Sequence, residues 1–399
     1  MRDYGQRITN SFTPIVSCLL PVACGLLAGC RDTLELPEEQ PKAEAERTVI
    51  VYMAADNSLS SQVKEDTTEM VKGKNLIPED VNFIIYLDDK PHKPAIYELS
   101  AKYGMQLWKQ YDEELCSTDQ EVMLEALKQI EEFFPARHYG LTFWSHATGW
   151  NPRRNTFGKD ETHGATPKES EMEIPVLRQV LAQLPKSDYI FFDACFMQCI
   201  EVAYELRDVT RYMVGSPAEI PGPGAPYDKI MESLCKGYAM GIVNGYASGY
   251  PLGIYSGVLL SCIDCAQIEP LAQLTGQLLT PLFTGRSEQP TDGFQAYCNN
   301  LTKYTHYYDM RTTMRRLLNE DDYTAWLELF DKAVPLRTLT STRSWYSSGL
   351  CNLPYVIDPE CYGGVSMFIP SEAYATYGWN EDFRKTSWYD ALGWDETGW

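Results

Sequence analysis

Four runs constrain this chain most: Thr48-Val-Ile-Val-Tyr-Met53, Val81-Asn-Phe-Ile-Ile-Tyr-Leu87, Leu141-Thr-Phe-Trp144 and Tyr189-Ile-Phe-Phe192. Each is nearly continuous in β-branched, aliphatic and aromatic residues. That pattern marks a strand buried on both faces, which a parallel sheet requires. Helical patterns lie between the runs. Asp56-Asn57-Ser58 opens one that extends from Leu59 to Lys72. Ser117, Thr118 and Asp119 cap a second, whose apolar stripe is Val122, Leu124, Leu127, Ile130 and Phe134. A third covers Ile174 to Leu184, and a fourth starts at Cys195 and carries Met197, Ile200, Val202, Tyr204 and Leu206. Shorter strands are expected at Arg211–Gly215 and Ile254–Ile263, with helices over 226–235, 240–250 and 267–283. Ala95–Leu99 and Gly104–Trp108 read as an edge hairpin. The alternation predicts an α/β fold, a mainly parallel sheet with helices on both faces, through residue 284. Beyond it the chain turns helical and aromatic, over 304–317 and 322–333, with one late strand, Gly363–Ile369, expected to rejoin the sheet.

At 399 residues, 44% hydrophobic and 12% aromatic, the chain can fill a large core. A net charge of −21 excludes a nucleic-acid partner, which needs clustered Lys and Arg. Arg2 and Arg7 precede an apolar stretch from Thr13 to Ala28 that ends in Leu27-Ala28-Gly29-Cys30. This resembles a bacterial lipobox. It implies a signal peptide over 1–29, lipidation of Cys30, an acidic tether over 30–46 and a membrane-anchored protein of the cell envelope. The folded chain is then expected to divide into a domain at 47–284 and a mainly helical region at 285–399 that packs on it, as a monomer. Twelve cysteines are too few for a disulfide scaffold at this length. Cys262-Ile-Asp-Cys265 has no second pair at zinc-ribbon spacing, and no HExxH is present, so no metal site is expected.

Two of the buried runs lead into reactive side chains, His146 and Cys195. Carboxyl ends of neighbouring parallel strands share one edge, where ligands bind. An imidazole and a thiol there form the minimum equipment of a cysteine nucleophile and its base. With the cysteine at a strand-to-helix junction, the helix N-terminus would lower its pKa. Backbone N–H groups at Cys195 and Ala147 would form the oxyanion hole. His92, His138 and His306 read as ordinary surface or core histidines.

The motifs as they stand resemble the clostripain-like cysteine peptidases, relatives of caspases, gingipains and legumains. Similar segments are Thr48 to Leu59, the histidine block Leu141 to Trp150, and the cysteine block Asp188 to Leu206. The loop with Ser216, Pro221-Gly222, Gly224 and Pro226-Tyr227 follows the same pattern. The resemblance implies a caspase-like three-layer α/β/α sandwich, with His146 as general base and acid and Cys195 as nucleophile of a thioester mechanism. It implies a peptide or protein substrate cut after Arg or Lys, with Asp193, Ser216 and Glu219 in the substrate-binding site. No cofactor is required for such chemistry; some relatives use Ca²⁺, but no EF-hand spacing is present here. Relatives are often cut between the two blocks, and Arg153-Arg154 on the polar stretch 151–170 suits self-cleavage. The chain departs from the family at Ala147, where glycine is usual, at Pro217-Ala218, where acids are common, and at Ala225, where tryptophan is usual. These departures keep a second reading open: a peptidase fold that binds peptides without turnover.

Overall fold

The computed structural model describes residues 40–151, 156–162, 171–250, 258–297, 307–340 and 357–399. The signal segment, Cys30, most of the tether, Arg153, Arg154, His163, Lys168 and His306 lie outside the described residues. Residues Pro41–Trp399 cluster as one unit. In chain order, β1 (Ala45–Ala55), α1 (Val63–Gly73) and β2 (Val81–Asp89) come first, followed by the hairpin β3 (His92–Ser100) and β4 (Gly104–Gln110). Next are α2 (Gln120–Phe133), β5 (Ala136–Trp144), α3 (Ile174–Leu181), β6 (Ser187–Asp193), α4 (Ile200–Leu206) and β7 (Thr210–Gly215). Then come α5 (Tyr227–Lys236), α6 (Ala239–Gly249), β8 (Leu259–Asp264) and α7 (Ile268–Phe283). The last elements are β9 (Tyr308–Asp309), α8 (Met310–Leu317), α9 (Glu320–Ala333), β10 (Leu336–Leu339), β11 (Ser366–Met367), α10 (Trp379–Phe383) and α11 (Ser387–Leu392).

Nine strands form one sheet in the order β10-β8-β7-β6-β5-β1-β2-β3-β4. The five central strands, β7-β6-β5-β1-β2, are parallel, and both flanks are antiparallel. The alternation of side chains along a strand splits the core into two layers. Along β1, Ile50, Tyr52 and Ala54 face one layer, and Val49, Val51, Met53 and Ala55 face the other. Along β6, Ile190 and Phe192 share the first layer, Tyr189 and Phe191 the second. Helices α2, α3, α4 and α7 cover the first face, and α1, α5 and α6 the second. The fold is therefore an α/β sandwich of three layers with a mainly parallel sheet. At ~1.5–3 kcal/mol for each fully buried large apolar side chain, the two layers supply the main drive for folding.

The helical C-terminal segment shares the first layer: Trp326, Phe368, Trp388 and Trp394 belong to the same buried cluster as Ile190 and Phe192. Helix α9 packs on α7, and α11 packs on α7 and α4.

Three local expectations change. The helix after Asp56-Asn57-Ser58 begins only at Val63, because Asn57 ties the chain into turns: its Nδ2 donates to Ala54 O and Lys159 O, and its Oδ1 accepts from Leu59 N–H. The run at 363–369 does not rejoin the main sheet. Only Ser366–Met367 pairs, with β9, in a two-stranded ribbon. The segment is apolar because it threads under α4, where Ser366 N–H donates to Gln198 O and Phe368 N–H to Glu201 Oε1. The edge position beyond β8 belongs to β10. The third change concerns Cys195 itself.

Candidate active site

The β5–β6 ladder fixes the site. Trp144 pairs with Asp193 at the carboxyl end of both strands. His146 and Cys195 each follow two residues later, so both leave the same sheet edge at the same step.

Helix α4 does not begin at Cys195. Residues 194–199 form a turn, and the helix starts at Ile200. Met197 and Cys199 fit the apolar pattern of a helix because they are core residues of the turn. The turn is sharp: Phe196 has φ +61, a conformation that strains any residue with a Cβ. Phe196 is held there by its N–H on Ala218 O at 2.9 Å and by stacking on Tyr307, with ring centroids 4.5 Å apart. The thiol therefore lacks the expected helix N-terminus. Burial pushes it up to about 12, the Ile220 N–H at 3.3 Å opposes this, and the negative Glu219 and Asp193 reinforce it.

His146 is held from the other side. Its Nε2 and Ser58 Oγ are 2.8 Å apart, and its carbonyl accepts from Gly158 N–H at 2.9 Å. Ser145 Oγ donates to Ala54 O at 2.7 Å, which locks the preceding residue onto β1. Burial, and then the charge of Lys159, lower the imidazole pKa, while Glu161 opposes them. His146 is thus neutral at neutral pH and able to accept a proton. Among the described residues, no hydrogen bond joins His146 to Cys195. In this resting arrangement the imidazole is bonded to Ser58 and the thiol to the loop N–H of Ile220.

The histidine turn and the cysteine turn are pinned to each other. Tyr307 O–H donates to Thr148 O of the histidine turn while its ring stacks on Phe196 of the cysteine turn. Gly149 has φ +74, and a Cβ there would lie 2.8 Å from Phe196 O and 3.2 Å from Cys199 Sγ. Only glycine permits this approach of the histidine turn to the cysteine turn. Ala147 is 4% exposed and its backbone bridges Phe157.

The three residues expected on the substrate side, Asp193, Ser216 and Glu219, are all buried. Asp193 is 5% exposed; its Oδ2 accepts from Ala225 N–H at 3.0 Å and Tyr227 O–H at 3.2 Å, and its Oδ1 is unpartnered. Burial raises this carboxyl to about 7, against both hydrogen bonds. Glu219 is 5% exposed and raised to about 7 by burial, with Oε2 unpartnered. Ser216 is buried. It shapes the loop, its Oγ accepting from Ala218 N–H at 3.1 Å and its carbonyl from Gln198 N–H at 3.0 Å. The sequence does not single out Ser58, Gly149 or Tyr307: Ser58 reads only as part of a helix start, Gly149 only as part of the histidine block, and Tyr307 carries no local signal.

Among the described residues, no group of three or more His, Cys, Asp or Glu is arranged to hold a metal ion. Cys262 and Cys265 are free thiols. No described helix is long and apolar enough to cross a membrane.

The sequence profile of the clostripain family matches residues 51–399. Clostripain from Hathewaya histolytica is 25% identical over a 225-position alignment that covers 48% of this chain and 42% of that protein. The chain thus spans less than half the length of that curated relative. Among solved structures, a secreted C11 cysteine protease from Bacteroides thetaiotaomicron, in complex with an irreversible peptide inhibitor, superposes with a TM-score of 0.77 at 30% identity. It covers 88% of this chain and 99% of its own. An inactive zymogen C11 protease from Parabacteroides distasonis gives a TM-score of 0.75 at 27% identity, with 88% and 99% covered. With a profile match across most of its length and the matching sandwich, the chain belongs to the clostripain family of cysteine proteases, whose thiol chemistry needs no cofactor.

Proposed function

We propose that this chain is a cysteine endopeptidase that cuts after Arg or Lys, with Cys195 as nucleophile and His146 as general base and acid. The observation that carries the reading is the β5–β6 ladder: Trp144 stands opposite Asp193, and His146 and Cys195 follow two residues on. The thiol proton passes to the imidazole as Sγ attacks the peptide carbonyl carbon. In the tautomer that donates Nε2–H to Ser58 Oγ, Nδ1 is the accepting nitrogen, and Ser58 acts as a positioning residue. The tetrahedral oxyanion takes hydrogen bonds from the N–H groups of Ala147 and Cys195, each worth ~2.7–4 kcal/mol of barrier in such sites. Collapse breaks the C–N bond, and the imidazolium gives its proton to the departing amine. Water, deprotonated by His146, then attacks the thioester. The carboxylic acid leaves and the Cys195 thiol is restored. Asp193 supplies the charge that selects a basic P1 residue, with Ser216 shaping the loop above it and Glu219 adding negative potential beside it.

Matched fluorogenic peptides ending in Arg, Lys, Leu or Asp test the reading. Alkylation-sensitive turnover of the Arg and Lys peptides is the expected result. Preference for Leu or Asp would reject the P1 assignment, and absence of turnover with all four would reject the peptidase.

The same reading extends to location. The basic start, apolar stretch and Leu27-Ala28-Gly29-Cys30 support cleavage before Cys30 and its lipidation, with the acidic segment leading to β1 as a tether and the domain at 47–284 held at the envelope. The Bacteroides thetaiotaomicron protease that matches at 30% identity is a secreted protein. Metabolic labelling with a palmitate analogue checks this: label is expected on the wild type and absent from Cys30→Ser, and an unlabelled wild type would remove the anchor.

A further inference from the structure

Two buried carboxyls from different elements meet beneath the loop 216–225. Asp66, on α1, is 1% exposed, and Asp193 ends β6. Each is oriented through one oxygen only. Trp144 Nε1–H donates to Asp66 Oδ2 at 2.8 Å, while Ala225 N–H and Tyr227 O–H hold Asp193 Oδ2. The Oδ1 atoms of both acids have no hydrogen-bond partner. Gly224 looks onto both: a Cβ there would stand 3.3 Å from Asp193 Oδ2 and 3.5 Å from each Asp66 oxygen. At this position the loop backbone lies against both carboxyls and brings no side chain of its own.

Two such groups in a dry site cannot both ionise unless a positive charge joins them. Among the described residues, the strongest influences on the two acids include no Lys or Arg. The surroundings add negative charge instead: Glu65 and Glu69 on α1 both act on Asp66. Glu69 also accepts from Tyr227 N–H at 2.9 Å, and Tyr246 and Tyr250 sense the charge of Asp193. Burial first, and then Asp193, raise the Asp66 carboxyl to about 9. A pair kept only for stability would spend its free oxygens on each other or on a donor. Here Trp144 and the loop hold the acids in place while one buried oxygen of each has no hydrogen-bond partner.

We propose that Asp66 is a second specificity-determining acid of the P1 site, and that Asp66 and Asp193 together accept one guanidinium, each through its unpartnered oxygen. This rests on the peptidase reading above and deepens it. The arriving cation replaces the proton that the pair otherwise holds. Because Ile220, in the covering loop, also donates its N–H to Cys195 Sγ, a P1 group that displaces the loop to reach the acids uncovers the thiol as well. Two acceptors set apart suit the planar fork of Arg better than the single ammonium of Lys.

The test is kcat/KM for matched peptides with Arg, Lys or citrulline at P1, in the wild type and in Asp66→Asn. Citrulline keeps the shape of Arg without its charge. The variant is expected to lose at least tenfold on Arg, less on Lys and least on citrulline. Ratios among the three peptides that stay as in the wild type, or an equal fall on all three, overturn the proposal. A wild type that cleaves none of them, or prefers citrulline, overturns the P1 reading itself and this proposal with it. A second measurement needs no variant. Benzamidine stays cationic throughout, and its binding to the wild type by calorimetry at pH 8, in buffers of different ionisation enthalpy, should release about one proton from the pair. Release near zero is what Asp193 alone would give and would discard Asp66.

Discussion

Cys195→Ala is expected to abolish peptide hydrolysis, and His146→Ala to lower kcat by about 10⁴–10⁶-fold, the scale seen when a nucleophile or its base is removed. The pH dependence separates their roles. With the thiol raised to about 12 and the imidazole lowered, the resting pair is thiol and neutral imidazole, not thiolate and imidazolium. Free enzyme should therefore react slowly with iodoacetamide at pH 7, and the rate should climb about tenfold per pH unit as thiolate forms. Turnover has the opposite sign at the acid end. It is lost as pH falls through the His146 pKa, which lies below that of a free histidine, so activity should persist to lower pH than a solvated imidazole would allow. Fast alkylation that is flat from pH 6 to 9 would mean a preformed ion pair and would contradict the hydrogen bonds found for both side chains.

Asp193→Asn is expected to reduce kcat/KM on Arg peptides by roughly 10–150-fold, which corresponds to ~1.5–3 kcal/mol for a hydrogen bond to a charged group. The amide can still accept from Ala225 N–H and Tyr227 O–H, so the loop keeps its anchor and the loss is mainly of charge. The sign with pH follows from the raised carboxyl, about 7. A cationic P1 group needs the ionised acid, so its advantage in the wild type should fade as pH drops below 7. In Asp193→Asn the ratio of Arg to Leu turnover should be low and nearly independent of pH. A variant that retains the wild-type ratio would assign P1 selection to other groups.

The family's glycine after the catalytic histidine is Ala147 in this chain, buried and bridged to Phe157. The close approach that glycine permits is made two residues later, at Gly149 against Phe196 O. The N–H of Ala147 is retained, so the oxyanion hole proposed above loses no donor by the substitution.

The parts of the fold that were legible share one cause. A strand covered on both faces must be apolar at every position, so the runs ending near Met53, Leu87, Trp144 and Phe192 stand out without any knowledge of their neighbours. The amphipathic stripe and Asp119 cap of α2 were equally plain, because they depend on residues a few positions apart. His146 and Cys195 could be paired in advance because parallel strands bring their carboxyl ends to one edge. The turn at Cys195 was misread as helix because a buried turn is also apolar, and period alone cannot separate the two. Strand β10, Leu-Arg-Thr-Leu, went unseen because it is half-buried and carries little pattern.

The sequence by itself determined the layered α/β scaffold and the placement of His146 and Cys195 at one sheet edge, since both follow from local pattern and from strand direction. Only the tertiary structure decided the state of those groups: which donor holds the thiol, that Ser58 holds the imidazole, that Tyr307 ties the two turns, and that Asp66 faces Asp193. Those facts arise from contacts between residues distant along the chain, and from the loss of water around them. Neither leaves a periodic trace in the order of the amino acids.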